Sequence, residues 1–168
     1  MCKVFFIADT HFGHEAIINY ENRPFENIDD MTEKLINNWN NVVSDEDIVF
    51  LLGDFSEYEK DLNISICNRL NGHKSLIIGN HDTEGEKYYY DCGFENVSKY
   101  PIIYENFWIL SHEPMYINSN MPYANIFGHV HGSPLYIDCS KQSYCVSAER
   151  IDYTPIEFSD IKRKMGIT

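Results

Sequence analysis

The sequence predicts a single α/β domain, and three observations predict it. Apolar strands alternate with amphipathic helices as far as Asp91, the grammar of a sheet built through crossover helices. Beyond Asp91 the texture changes to short strands with tight turns. Five apolar runs also stop abruptly in side chains that bind metals or move protons: residues 4–11, 48–54, 76–82, 107–112 and 126–131.

Residues 3–8 read as a strand, and Asp9-Thr10-His11-Phe12-Gly13-His14 as the loop leading into an amphipathic turn or helix through Ile17, Ile18 and Tyr20. Arg23-Pro24-Phe25 breaks that pattern. The next helix is expected to open at Asp30-Met31-Thr32-Glu33, a carboxylate cap with Glu33 at the capping-box position. Met31, Leu35, Trp39 and Val42 share one face of it and belong to the core. A polar turn over residues 44–47 precedes a strand over 48–52, which ends in Gly53-Asp54.

Leu62, Ile66 and Leu70 mark a second covering helix, closed by the Asn71-Gly72 turn, in which His73 reads as solvated. Residues 76–78 form a strand covered on both faces, and Gly79 lets the backbone turn and come close to a ligand. Tyr88-Tyr89-Tyr90 reads as an amphipathic helical end whose rings pack. Residues 101–104, the turn Glu105-Asn106 and residues 107–110 predict a hairpin. Short strands are expected over 125–127, 135–137 and 144–146, with a terminal amphipathic piece over 158–165.

With 168 residues and 43% hydrophobic content, one domain can bury roughly 70% of the surface its unfolded chain exposes. No apolar run reaches the length of a membrane span, and the N-terminus enters a strand without signal-peptide features, so the expected location is cytoplasmic. Five scattered cysteines without a CxxC pair indicate neither a disulfide framework nor a cysteine zinc site. A net charge of -13 argues against capture of long nucleic acid, which needs a basic track.

Oxygen donors from Asp9, Asp54 and Asn80, joined with imidazoles from His11, His112, His129 and His131, make a mixed set with ligands enough for two ions. Such a set suits manganese first, with iron, zinc or nickel as alternatives, better than calcium. Asp54, central among the strand ends, is the natural bridge. Two ions about 3.5–4 Å apart generate hydroxide at neutral pH and clamp the attacking and leaving oxygens of an in-line displacement, which fits phosphoester hydrolysis. His81, beside Asn80, is placed to protonate the leaving alkoxide, and Asp82 to fix the tautomer or orientation of His81.

The ordered set Asp9-x-His11, Gly53-Asp54, Gly79-Asn80-His81-Asp82, Ser111-His112 and Gly128-His129-Val130-His131 resembles the calcineurin-like metallophosphoesterase superfamily. Asp-Thr-His-Phe-Gly-His at 9–14, Arg23-Pro24-Phe25, Trp39-Asn40 and Leu52-Gly53-Asp54-Phe55 extend the likeness to its small prokaryotic and phage-type members. The resemblance implies a four-layer α-β-β-α sandwich, two central mixed sheets flanked by helices. It also implies Asp9, His11, Asp54 and His131 at one metal, and Asn80, His112, His129 and shared Asp54 at the other. Protein phosphatases of the superfamily follow the second-motif Gly-Asp with an Asp-Arg pair and carry Glu after Asn-His, whereas Phe55-Ser56 and Asp82 stand here.

His14 reads as a packed loop histidine or a substrate contact, Arg23 as a phosphate ligand or a structural turn, and Arg150 as a weaker candidate. The expected substrate is a small or nucleotide-like phosphodiester, with no membrane partner and the oligomeric state open. A phosphomonoesterase on the same site and a metal-free interaction module on the same fold are the alternatives. A metallo-β-lactamase-type hydrolase would need His-x-His-x-Asp-His, which the chain lacks.

Overall fold

The computed structural model describes residues 2–118 and 120–167. In chain order it runs β1 (Val4–Ile7), α1 (Glu15–Tyr20), α2 (Ile28–Val42), β2 (Ile48–Leu51), α3 (Lys60–Arg69), β3 (His73–Ile77), α4 (Glu86–Cys92) and β4 (Asn96–Ser98). There follow β5 (Ile102–Tyr104), β6 (Trp108–Leu110), β7 (Ala124–Phe127), β8 (Ser143–Cys145), a 3-10 turn (Ala148–Arg150), β9 (Ile156–Glu157) and α5 (Phe158–Met165).

Two mixed sheets result. The first has the order β4-β3-β2-β1-β9, with β1 to β4 parallel and β9 antiparallel to β1. The second has the order β5-β6-β7-β8, an antiparallel β5-β6 pair followed by parallel pairings. Alternation along β1 explains the layering, because successive side chains point to opposite faces. Phe5 and Ile7 join Met31, Leu35, Trp39, Ile66 and Tyr89 under α2, α3 and α4, whereas Phe6 and Ala8 meet Leu110, Ile126 and Val146 between the sheets. Both faces of β1 are therefore dry, which is why it reads as a continuous apolar run. The helical cover is uneven: α5 alone adds Phe158, Ile161 and Met165 to the core between the sheets.

Several boundaries differ from expectation for identifiable reasons. Helix α2 starts earlier, because Asn27 caps it by accepting from Asp30 N at 2.9 Å while the Asp30 carboxylate accepts from Glu26 N at 3.0 Å. Val42 is half exposed and Val43 is buried in its place. On α3, Leu62 faces solvent, and Asn63 takes the inward position by donating to Tyr58 O and to the Tyr88 hydroxyl. Residues 135–137 form no strand: Leu135 is 88% exposed, and Arg150 gathers the carbonyls of His131, Ser133 and Tyr136 into an irregular loop instead. His73 opens β3 at its exposed edge, facing Glu95. Strands β4 and β9, of three and two residues, carry too little pattern to be read ahead of the structure. The Glu105-Asn106 turn is as expected, with both φ values positive (49° and 56°) and Phe107 N donating to Tyr104 O, and the ladder resumes at the Tyr104–Trp108 pair.

Candidate active site

The five ligand-bearing runs end together, at the C-terminal ends of β1, β2, β3, β6 and β7. Backbone bonds align the loops in pairs: Asp9 N donates to Gly53 O, His11 N to Asp54 O and Gly128 N to His112 O, at 2.9–3.0 Å. Close approach explains two glycines. A Cβ at Gly79 would collide with Asp54 Oδ1, and one at Gly128 with Ala8 Cβ, so larger residues would force the loops apart. Gly79 thus serves proximity to a ligand-type residue and has no left-handed backbone of its own.

Five of the seven candidate ligands hold left-handed backbones: Asp9 (φ 58°), His11 (49°), Asp54 (55°), His129 (69°) and His131 (45°). For residues with a Cβ this conformation costs about 1–2 kcal/mol each. The pairing of the loops holds that strain in place. Sequence reasoning had no sign of it, because no glycine or asparagine marks these positions.

Asp54 stands at the centre. Its Oδ2 lies 3.4 Å from His11 Nε2 and 3.4 Å from His112 Nε2, while its Oδ1 accepts from His81 N at 2.9 Å. One carboxylate oxygen is therefore shared by two groups of donors. On one side, Asp9 and His11 are buried and His131 is partly buried, with His131 Nε2 4.0 Å from Asp9 Oδ1. On the other, Asn80 Oδ1 lies 2.9 Å from His112 Nε2 and 2.8 Å from His129 Nδ1, and those two nitrogens are 3.1 Å apart.

These contacts fit cations. Donors around an ion bound at about 2.1 Å sit about 3.0–3.4 Å apart. His112 Nδ1 donates to Leu52 O at 2.8 Å, so its Nε2 turns a lone pair toward Asn80 Oδ1 and Asp54 Oδ2, which are themselves acceptors. His11 Nε2 is buried without a hydrogen-bond partner. Lone pairs converging in this way repel one another unless positive charge lies between them.

Protonation states agree. Burial alone would raise Asp54, but the imidazoles of His11 and His112 beside it and the His81 N–H hold its carboxyl down to about 2. Burial pushes His11 down to about 4, keeping the imidazole neutral. Burial also pushes Asp9 up to about 6, against the pull of His131 and His112.

Around the ligands the structure reassigns several residues. Arg23 is buried: its Nε donates to Glu149 Oε1 at 2.8 Å, and its terminal nitrogens donate to Thr10 O and Asp9 O at 3.0 and 2.7 Å. It fastens the loop after β1 and is not free for a phosphate oxygen, a correction to its expected role. Asp82 is likewise buried and accepts from the backbone N–H groups of Asp54, Phe55 and Gly79 at 2.8–3.0 Å. It ties two ligand loops together and does not orient His81. That place is held by Glu57, whose Oε1 lies 3.1 Å from His81 Nδ1 and 2.9 Å from His14 Nδ1. His14 also lies 3.3 Å from His11 Nδ1, inside the wall of the site. Arg150 is spent on loop carbonyls and Asp138.

Sequence reasoning missed Glu57 and Glu149. Glu57 follows Asp54 by three residues, and that proximity was the available signal. Glu149 Oε1 lies 3.1 Å from His131 Nδ1 and leaves Nε2 as the nitrogen on the Asp9 side. Its partners Arg23 and His131 are remote in sequence, so nothing in the pattern pointed to it.

A family model for calcineurin-like phosphoesterases matches residues 2–164. The chain belongs to that family. An uncharacterized protein of Methanocaldococcus jannaschii is 38% identical over 164 residues, spanning 93% of this chain and 87% of the relative. The gene 66 protein of Mycobacterium phage L5 is 31% identical over 85 residues, 49% of this chain and 41% of that protein. Among solved structures, a protein of unknown function from Aquifex aeolicus superposes with a TM-score of 0.74 at 27% identity, covering 97% of this chain and 99% of that one. A Pseudomonas putida nuclease shares the fold with a TM-score of 0.53 at 22% identity over 76% of this chain and 61% of its own. Family membership implies divalent metal ions and a hydrolase acting on phosphoric esters. Among the described residues no helix is long and apolar enough to cross a membrane.

Proposed function

We propose that the chain is a phosphodiesterase acting on small or nucleotide-like diesters. In this reading Asp9, His11, Asp54 and His131 hold one ion, and Asp54, Asn80, His112 and His129 hold another, with manganese as the expected metal. Bound there, two divalent ions supply a nucleophile at neutral pH and a clamp for the attacking and leaving oxygens. The chain's own residues do the rest. Asp54 registers the two ligand groups on one carboxylate, and its Oδ1 fixes the backbone of His81. Glu57 engages His81 Nδ1 and leaves Nε2 to give a proton to the departing alkoxide.

One observation carries the diester assignment: both arginines that touch the ligand loops are spent on protein groups. A monoester dianion brings a further charge that a free guanidinium would normally meet, whereas a diester carries only one. The test compares p-nitrophenyl phosphate with its bis ester, using protein loaded with manganese. The expected result is a higher kcat/KM for the bis ester. A clear preference for the monoester would move the assignment to a phosphomonoesterase, and protein that takes up no metal would leave only an interaction module.

A further inference from the structure

Beside the candidate site lies a second feature that shares Asn80 with the proposed metal ligands and is otherwise lined by residues outside that set. A cleft of about 440 Å³ is walled by the turn from Ser56 to Lys60 and by the segment from Asn80 to Tyr89. Its volume falls within the roughly 300–1,000 Å³ that holds a drug-sized organic group. It is continuous with the site, because Asn80, Glu57 and His81 are part of its lining. Tyr58 and Tyr88 give it aromatic walls, and its charge comes from Glu57, Glu59 and Glu84 against Lys60. Lys60 is turned toward Asp91, donating to it at 2.9 Å, and the three carboxylates of the lining outnumber it.

We infer that this cleft receives the leaving group, and that it selects an uncharged, hydroxyl-bearing group of nucleoside size over one that carries a further phosphate. The inference rests on the diesterase reading above and names the substrate class of the same site. Geometry assigns the side. The proton donor must lie next to the oxygen that departs, and His81 lines this cleft. Chemistry assigns the occupant. Tyrosine rings suit the flat face of a base, and carboxylates accept from ribose hydroxyls or exocyclic amines. The same carboxylates repel a second phosphate, and Lys60, held by Asp91, offers it little in return. In the reaction the P–O bond to the leaving nucleoside breaks as a P–O bond to the water-derived oxygen forms, and the nucleoside departs as a neutral alcohol after taking a proton from His81.

The experiment uses the full chain loaded with manganese and dithymidine monophosphate as substrate, alone or with an additional phosphate at its 5′ or its 3′ end. Products identify which nucleoside leaves without phosphate. A phosphate on that nucleoside should lower kcat/KM about tenfold, and one on the other end should matter less. Glu84→Lys should narrow this discrimination several-fold and Glu84→Gln by less, because both act through charge at an exposed position. Equal kcat/KM for the two phosphorylated substrates, or discrimination that Glu84→Lys leaves unmoved, overturns the cleft assignment while the diesterase reading stands. Failure to hydrolyse even bis(p-nitrophenyl) phosphate overturns both.

Discussion

The two halves of the candidate site are built to different standards of closure. Asp9, His11 and Asp54 are at most 1% exposed, and the loop that carries Asp9 and His11 is fastened by Arg23. His131 is held from behind by Glu149. On the other side, Asn80 and His129 are exposed, and only His112 is locked, through Leu52 O. The open half also borders His81 and the acidic cleft. The difference divides the labour of the site. A closed half suits an ion that stays, and an open half suits one that meets solvent and substrate. Asp54 couples the two, since one of its oxygens faces both.

The sharpest way to break this picture is Asp54→Asn. If one carboxylate serves both halves, the variant should lose both ions and fall to background activity, whereas His129→Ala should keep about one ion per chain. Elemental analysis of the two purified variants reads the outcome. Equal metal content would mean that Asp54 serves one half only. Next in size, His81→Ala should slow diesters with poor leaving groups by about 100 to 1,000-fold and activated p-nitrophenyl diesters far less, since a good leaving group needs little protonation. A loss independent of leaving-group pKa would remove His81 from proton transfer.

The closed half was less legible in the sequence than the open one, although its ligands were equally visible. Asp9, His11, Asp54 and His131 could be named because an apolar run emptying into Asp, Gly and His has few meanings. The order of the motifs carried the fold as far as two sheets with strand ends converging. What stayed hidden were the supports. Arg23 meets Glu149 across 126 positions, and Asp82 was adjacent to His81 in sequence but turned toward backbone amides of other loops. Local sequence reports which side chains a strand end presents. Which of them point at the site depends on loops packed from elsewhere, and on left-handed backbones that no residue type announced.

Glu149 therefore supplies a smaller test of closure. Glu149→Gln keeps the shape but weakens the hydrogen bond that sets His131, and should lower metal affinity about 10 to 100-fold in the closed half. Titration with manganese should show one of two binding steps shifted and the other unchanged. A shift of both, or of neither, would contradict the assignment of Glu149 to the closed half.

Closure costs stability before any ion is present. Burial raises the Asp9 carboxyl to about 6 in the folded chain, from an ordinary value of 3.8. The sign follows from the proton count: between those values the folded state binds more protons than the unfolded one, so stability falls as pH rises through 6. Chelated protein carrying Asp9→Asn lacks this penalty. It should match the wild type near pH 4 and exceed it by about 3 kcal/mol at most near pH 7.5. Urea unfolding at the two pH values measures the difference. Adding manganese should reverse the order at pH 7.5, because the wild type then gains a ligand that the variant has lost. A stability difference that does not change with pH would show that the Asp9 carboxylate is solvated, and with it that the closed half is not closed.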